Sequence, residues 1–150
     1  MKQNVKNIII IVLVVTNLVT LGLVSWKSYL AELNQSRIDL RFKKGFSNLV
    51  GNLNMDTSSD EILERLKREN WGYATLMQET FNDSSYSSDD YGDRLGDIVY
   101  KLYLMVRHDT FYEKIDSDLA SDLNKLSAQL DWNEELLNSV YEQMKELETK

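Results

Sequence analysis

Apolar side chains follow two patterns along this chain. From Asn7 to Trp26 they are nearly continuous, NIIIIVLVVTNLVTLGLVSW, and from Leu30 onward they recur every three to five residues among polar ones. The second pattern is that of helices burying one face. The first suits a helix lying in an apolar medium. Twenty uncharged residues at about 1.5 Å each span about 30 Å, the thickness of a bilayer's hydrocarbon core.

Within the spaced pattern, Leu30, Leu33, Ile38, Phe42, Phe46, Leu49 and Leu53 predict a helix over Lys27 to Leu53, running on from the apolar block. Asn54 to Ser59 is a polar break. Ser58 and Glu61 then form an S-x-x-E capping box, followed by a stripe from Ile62 to Phe81 with Gly72 weakening its middle. Asn82 to Asp90, NDSSYSSDD, reads as a loop. A helix over Asp90 to His108 is apolar on nearly every face between Ile98 and Val106, which places it at the centre of a core. Thr110 and Glu113 make a second capping box, and Ile115, Leu119, Leu123, Leu126 and Leu130 continue from it. Asp131 with Glu134 restarts or kinks that helix before the last stripe, Leu136 to Leu147. No alternating β pattern occurs. The expected fold class is all-α: one N-terminal transmembrane helix, then a small antiparallel bundle of about four helices. The divisions are a tail at 1–6, an anchor at 7–26 and a domain at 27–150.

The anchor reading competes with a cleaved signal peptide, for which Lys2 and Lys6 would supply the basic start. Thirteen Ile, Val or Leu residues between Ile8 and Val24 supply on the order of −4 to −8 kcal/mol for insertion. The run exceeds the ordinary length of a signal's apolar region, and no A-x-A-like site follows it. A retained anchor is therefore expected. A short basic tail before a first apolar helix commonly stays in the cytoplasm, which places 27–150 outside. Lys27, Arg37, Arg41, Lys43 and Lys44 after the anchor keep the cytoplasm-facing alternative open. Trp26 and Tyr29 suit an interfacial aromatic belt.

Charge and composition narrow the partners. Residues 27–44 carry five basic and two acidic side chains, whereas 45–150 carry ten basic and twenty-two acidic ones. That distal excess argues against nucleic acid, whose phosphates need a basic surface. The juxtamembrane basic stretch suits anionic headgroups or simple solvation. The chain has no proline and six glycines, as long uninterrupted helices require. Without cysteine there is neither disulfide nor thiolate chemistry.

Candidate chemistry is sparse. Aligning Gly92 with the glycine of a calcium-binding loop puts Tyr91 at position 5 and Ile98 at position 12, where oxygen ligands are needed. His108 is the one histidine, with Asp109 beside it and no nucleophile motif in the chain; a helix-end histidine near the negative dipole terminus is the ordinary reading. No cofactor, metal or catalytic residue is assigned, and the chain is read as non-enzymatic. Aromatics are numerous: Trp71, Tyr73, Phe81, Tyr100, Tyr103, Phe111, Tyr112, Trp132 and Tyr141. Most belong in a core. Trp71, Tyr73, Tyr86 and Tyr91 are the candidate interaction surface, because aromatics concentrate at hot spots and loops carry recognition. In the anchor, Leu13, Asn17, Thr20 and Val24 share a face, and Asn17 with Thr20 is the candidate seam for self-association or pairing with another membrane helix.

At the level of architecture this arrangement resembles the extracytoplasmic helical modules of bacterial receptors. It implies a membrane-anchored protein that binds a protein partner or senses a ligand. The alternative is a structural cell-envelope or phage lysis component of the spanin kind.

Overall fold

The computed structural model describes residues 2–88, 90–130 and 133–147, the side chains of 2–5, 8 and 9 excepted. It is all-helical, with no strand among the described residues. Six helices follow in order: α1 Lys2–Gly51, α2 Asp60–Phe81, α3 Gly92–Arg107, α4 Phe111–Lys114, α5 Ser117–Ala128 and α6 Glu134–Glu146, with single 3-10 turns at Asn52–Asn54 and Ser85–Ser87. The chain divides into two compact units, Met1–Ser36 and Arg37–Lys150, so the second begins ten residues after the expected domain start at Lys27.

The first unit is helix alone. Its large apolar side chains from Ile10 to Trp26 are all more than half exposed. One stretch of α1 is long and apolar enough to cross a membrane, and none of it is buried against the protein. Three polar groups on it bond to its own backbone. Thr16 Oγ1 donates to Val12 O at 2.8 Å, Asn17 Nδ2 to Leu13 O at 2.9 Å, and Thr20 Oγ1 to Thr16 O at 2.9 Å. Such bonds remove the cost of a hydroxyl or amide hydrogen in hydrocarbon.

The second unit has the core. Phe42, Phe46, Leu49 and Val50 of α1 meet Ala74, Met77 and Phe81 of α2, Ile98, Val99 and Leu102 of α3, and apolar faces of α5 and α6. Fully burying each of the larger side chains contributes about 1.5–3 kcal/mol. The helix expected at the centre packs against α2, α4, α6 and the Ser85–Ser87 turn, although Tyr100 on it is half exposed. Of the α1 stripe Phe42, Phe46 and Leu49 are buried, while Leu30 and Leu33 stay exposed. α1 and α2 approach closely at Gly45, where a Cβ would lie 3.1 Å from the Met77 nitrogen and 3.2 Å from the Tyr73 carbonyl oxygen.

Several boundaries differ from the sequence expectation. Among the described residues six helices stand where about four were expected, because the run from Thr110 to Leu130 is two helices and α6 is separate from them. Asp116 Oδ1 accepts the backbone N–H groups of Asp118 and Leu119, at 3.1 and 2.9 Å, and so starts α5 afresh. Neither capping box forms. α2 starts one residue late, after Ser59, and the Ser58 N–H bonds to Asp56 Oδ1 at 2.9 Å. Thr110 turns its hydroxyl back to Met105 O at 3.4 Å. The last break is real but its cap is Asn133, whose side chain accepts from Leu136 N at 2.9 Å. Asp131 and Trp132 lie outside the described residues.

Candidate functional site

The segment between α2 and α3 is a serine-built turn. Its strongest ties run to α1: Ser85 N donates to Asp39 Oδ1 and Ser85 Oγ to Asp39 Oδ2, both at 2.8 Å. Within the turn, Ser84 Oγ donates to Phe81 O at 2.6 Å, Ser87 Oγ to Ser84 O at 2.9 Å and Ser88 Oγ to Ser85 O at 2.9 Å. Short hydroxyl side chains stabilise turns by such local bonds. Tyr86 is thereby driven inward onto Phe42, ring centroids 5.4 Å apart, with the Lys43 ammonium 5.3 Å over its ring. Gly92 then starts α3 against the Ser87 carbonyl, where a Cβ would collide.

This turn forms one wall of a cleft of about 770 Å³. Leu95 of α3, Leu126 of α5, Leu137 of α6 and Leu130 make an apolar floor, and Tyr86, Tyr91, Asp90, Asn133 and Glu134 are among its other lining residues. That volume is within the range of ligand-binding sites. The Tyr91 hydroxyl donates to Glu134 Oε2 at 3.1 Å, and this bond to a carboxylate raises the Tyr91 pKa above its ordinary value. Arg94 bonds to Asn138 and lies 3.8 Å from Glu134 Oε1. The cleft therefore has a greasy base and a mouth in which acidic groups and hydroxyls prevail.

Of the four candidate surface residues, two come together: Tyr86 and Tyr91 line the cleft. Trp71 is 47% exposed on α2 and leans on Tyr103 of α3, centroids 5.9 Å apart. Tyr73 packs against the core. Trp71 and Tyr73 are not part of the cleft lining. The sequence reading missed Leu95, Leu126, Leu130 and Leu137 as site residues, since each reads as an ordinary stripe position. It also missed a polar chain through the interior. Asn52 Nδ2 donates to Asn70 Oδ1 at 2.7 Å, and Asn70 Nδ2 to the Tyr112 hydroxyl at 2.9 Å. Burial raises the Tyr112 pKa, with the Asn70 bond opposing it.

His108 and Asp109 end α3, both exposed. Asp109 adopts φ 59°, and Lys67 Nζ reaches its Oδ2 at 2.7 Å. Among the described residues, no group of three or more His, Asp or Glu side chains is placed to hold a metal ion. Asn17 and Thr20 lie exposed on α1 within the first unit. No known protein family, curated protein or solved structure matches the chain.

Proposed function

We propose that this is a single-pass membrane protein whose Arg37–Lys150 unit is a helical bundle outside the cytoplasm that works by binding. One observation carries the anchor: α1 presents an uncharged, mainly apolar surface from Ile10 to Trp26 whose large apolar side chains are all more than half exposed. In water such a surface would cost about 25 cal/mol per Å² relative to an apolar environment. A core helix would have been covered, and the internal bonds of Thr16, Asn17 and Thr20 suit hydrocarbon. Binding is supported by the cleft, where loop and helix residues converge on an apolar base. The one histidine stands exposed at the end of α3, outside the cleft lining. A folded-back bundle is favoured over an envelope-spanning rod because α1 shares its core with α2, α3, α5 and α6.

The test is membrane fractionation. The full-length protein is expected in the membrane pellet after alkaline washing, uncut, and digested by protease added from outside. A cytoplasm-only reporter fused after Lys150 is expected to be silent. Release by alkali refutes the anchor, and an active reporter reverses the orientation.

A further inference from the structure

The three polar side chains on the apolar part of α1 are not equally satisfied. Thr16 and Thr20 each have one hydroxyl hydrogen and spend it on their own helix, at Val12 O and Thr16 O. A carboxamide has two N–H hydrogens and an acceptor oxygen. Asn17 spends one hydrogen on Leu13 O, and its second N–H and its Oδ1 have no partner among the described residues. The side chain is exposed, so in a bilayer those two groups meet hydrocarbon. No water reaches them there, and a bare polar group in that medium is costly.

The spacing around Asn17 identifies what covers it. Ile10, Leu13, Asn17, Thr20 and Val24 follow at intervals of 3, 4, 3 and 4, the alternation of a two-position coiled-coil seam. Ile10, Asn17 and Val24 take its a positions, Leu13 and Thr20 its d positions. Ile10, Leu13 and Val24 are 57%, 56% and 57% exposed, so the seam is uncovered within its own unit. β-Branched residues at a with leucine at d favour two parallel strands, and one asparagine at a sets their register. Membrane helices mostly cross with this same left-handed geometry.

We propose that α1 pairs within the membrane with α1 of a second copy of this chain, parallel and in register, each Asn17 amide donating its second N–H to the other's Oδ1. The inference rests on the anchored reading above. Copies inserted with one topology hold Asn17 at one depth, and an amide, being donor and acceptor at once, is its own complement. A two-fold contact requires that self-complementarity. Sliding the seam by one heptad sets Asn17 against Ile10 or Val24 and leaves both amides unpaired. Confinement to a bilayer raises the effective concentration of one copy for another.

The chain has no cysteine, so single cysteines report the seam directly. Ile10→Cys, Leu13→Cys and Val24→Cys, and on the opposite side Val15→Cys and Val19→Cys, are made in the full-length protein and oxidised in native membranes. Disulfide-linked homodimers are expected from the first three and not from the last two. With Val24→Cys as reporter, Asn17→Val is expected to weaken association about threefold to thirtyfold across a range of expression levels. Asn17→Gln, which keeps an amide, is expected to restore it. Equal products from all five positions, products indifferent to Asn17→Val, or adducts to a different protein in place of the homodimer would each overturn the proposal. Protein that stays in the membrane pellet after alkaline washing and yields no homodimer removes this inference alone, whereas protein released by the wash removes the membrane reading.

Discussion

Replacing Asn70 with alanine tests whether the interior polar chain holds the Asn52–Asn54 turn, α2 and α4 together. Asn70 is 1% exposed and uses its carbonyl oxygen for Asn52 and its amide hydrogen for Tyr112. Each neutral bond has a net worth of about 1 kcal/mol, but removing one partner strands the other, at about 1–3 kcal/mol per buried group. Asn52 is buried and loses its acceptor outright. The Tyr112 hydroxyl is only partly buried and loses less. The sum is roughly 2–4 kcal/mol, or about 8–16 °C in Tm at about 4 °C per kcal/mol. Thermal and urea unfolding of the full chain in mild detergent, followed by tryptophan emission, reads this directly. In a double-mutant cycle, Asn52→Ala with Asn70→Ala should show a coupling of about 0.5–3 kcal/mol. A loss below about 0.5 kcal/mol, the range of an ordinary surface change, would refute the reasoning, as would strictly additive single changes.

Four further outcomes follow from particular positions. Gly72→Ala should stabilise by up to about 1 kcal/mol, because nothing lies within 4 Å of the new methyl. Gly92→Ala should destabilise by about 1–3 kcal/mol, since its Cβ meets the backbone of Ser87 and Tyr86; equal shifts in urea midpoint for the two variants would dismiss the close approach. Asp109→Val should cost about 1–2 kcal/mol and Asp109→Gly far less, because the residue sits at φ 59° and the bonds Thr110 N to Met105 O and Asp109 N to Val106 O close a Schellman motif. A valine variant as stable as the parent would deny that conformation. In base, Tyr112, whose folded pKa is raised by burial, binds its proton more tightly folded than unfolded. Its contribution is complete below about pH 10 and falls as pH rises through the folded value. Tyr112→Phe should flatten that loss in urea titrations above pH 10, and an unchanged slope would place the effect elsewhere. Tyr91 shifts in the same direction, so the comparison is made in a Tyr91→Phe background.

Periodicity and composition alone determined the all-α class, the apolar block near the N-terminus and the general places of α2, α3 and α6. These are local properties: an apolar residue every three to four positions makes a helix with a buried face, and the lack of proline leaves it unbroken. Capping was less legible. Ser58 and Thr110 fit a motif whose geometry the chain declines, while Asp116 and Asn133 make the caps that do form, because an Asx or hydroxyl side chain has several local bonds to choose from. Tertiary structure alone decided what was buried. Ile38 and Phe42 belong to the same predicted stripe, yet one is only partly buried and the other fully covered, according to where α2 and the serine turn lie against α1. Leu95, Leu126 and Leu137 are core positions, buried in the fold, and they also line a cleft because three helices and a turn meet around it. Asn52, Asn70 and Tyr112 are far apart in the chain and polar, and nothing local marks them as partners. Their pairing is a product of packing, since a buried amide persists only where the fold brings another polar group to it.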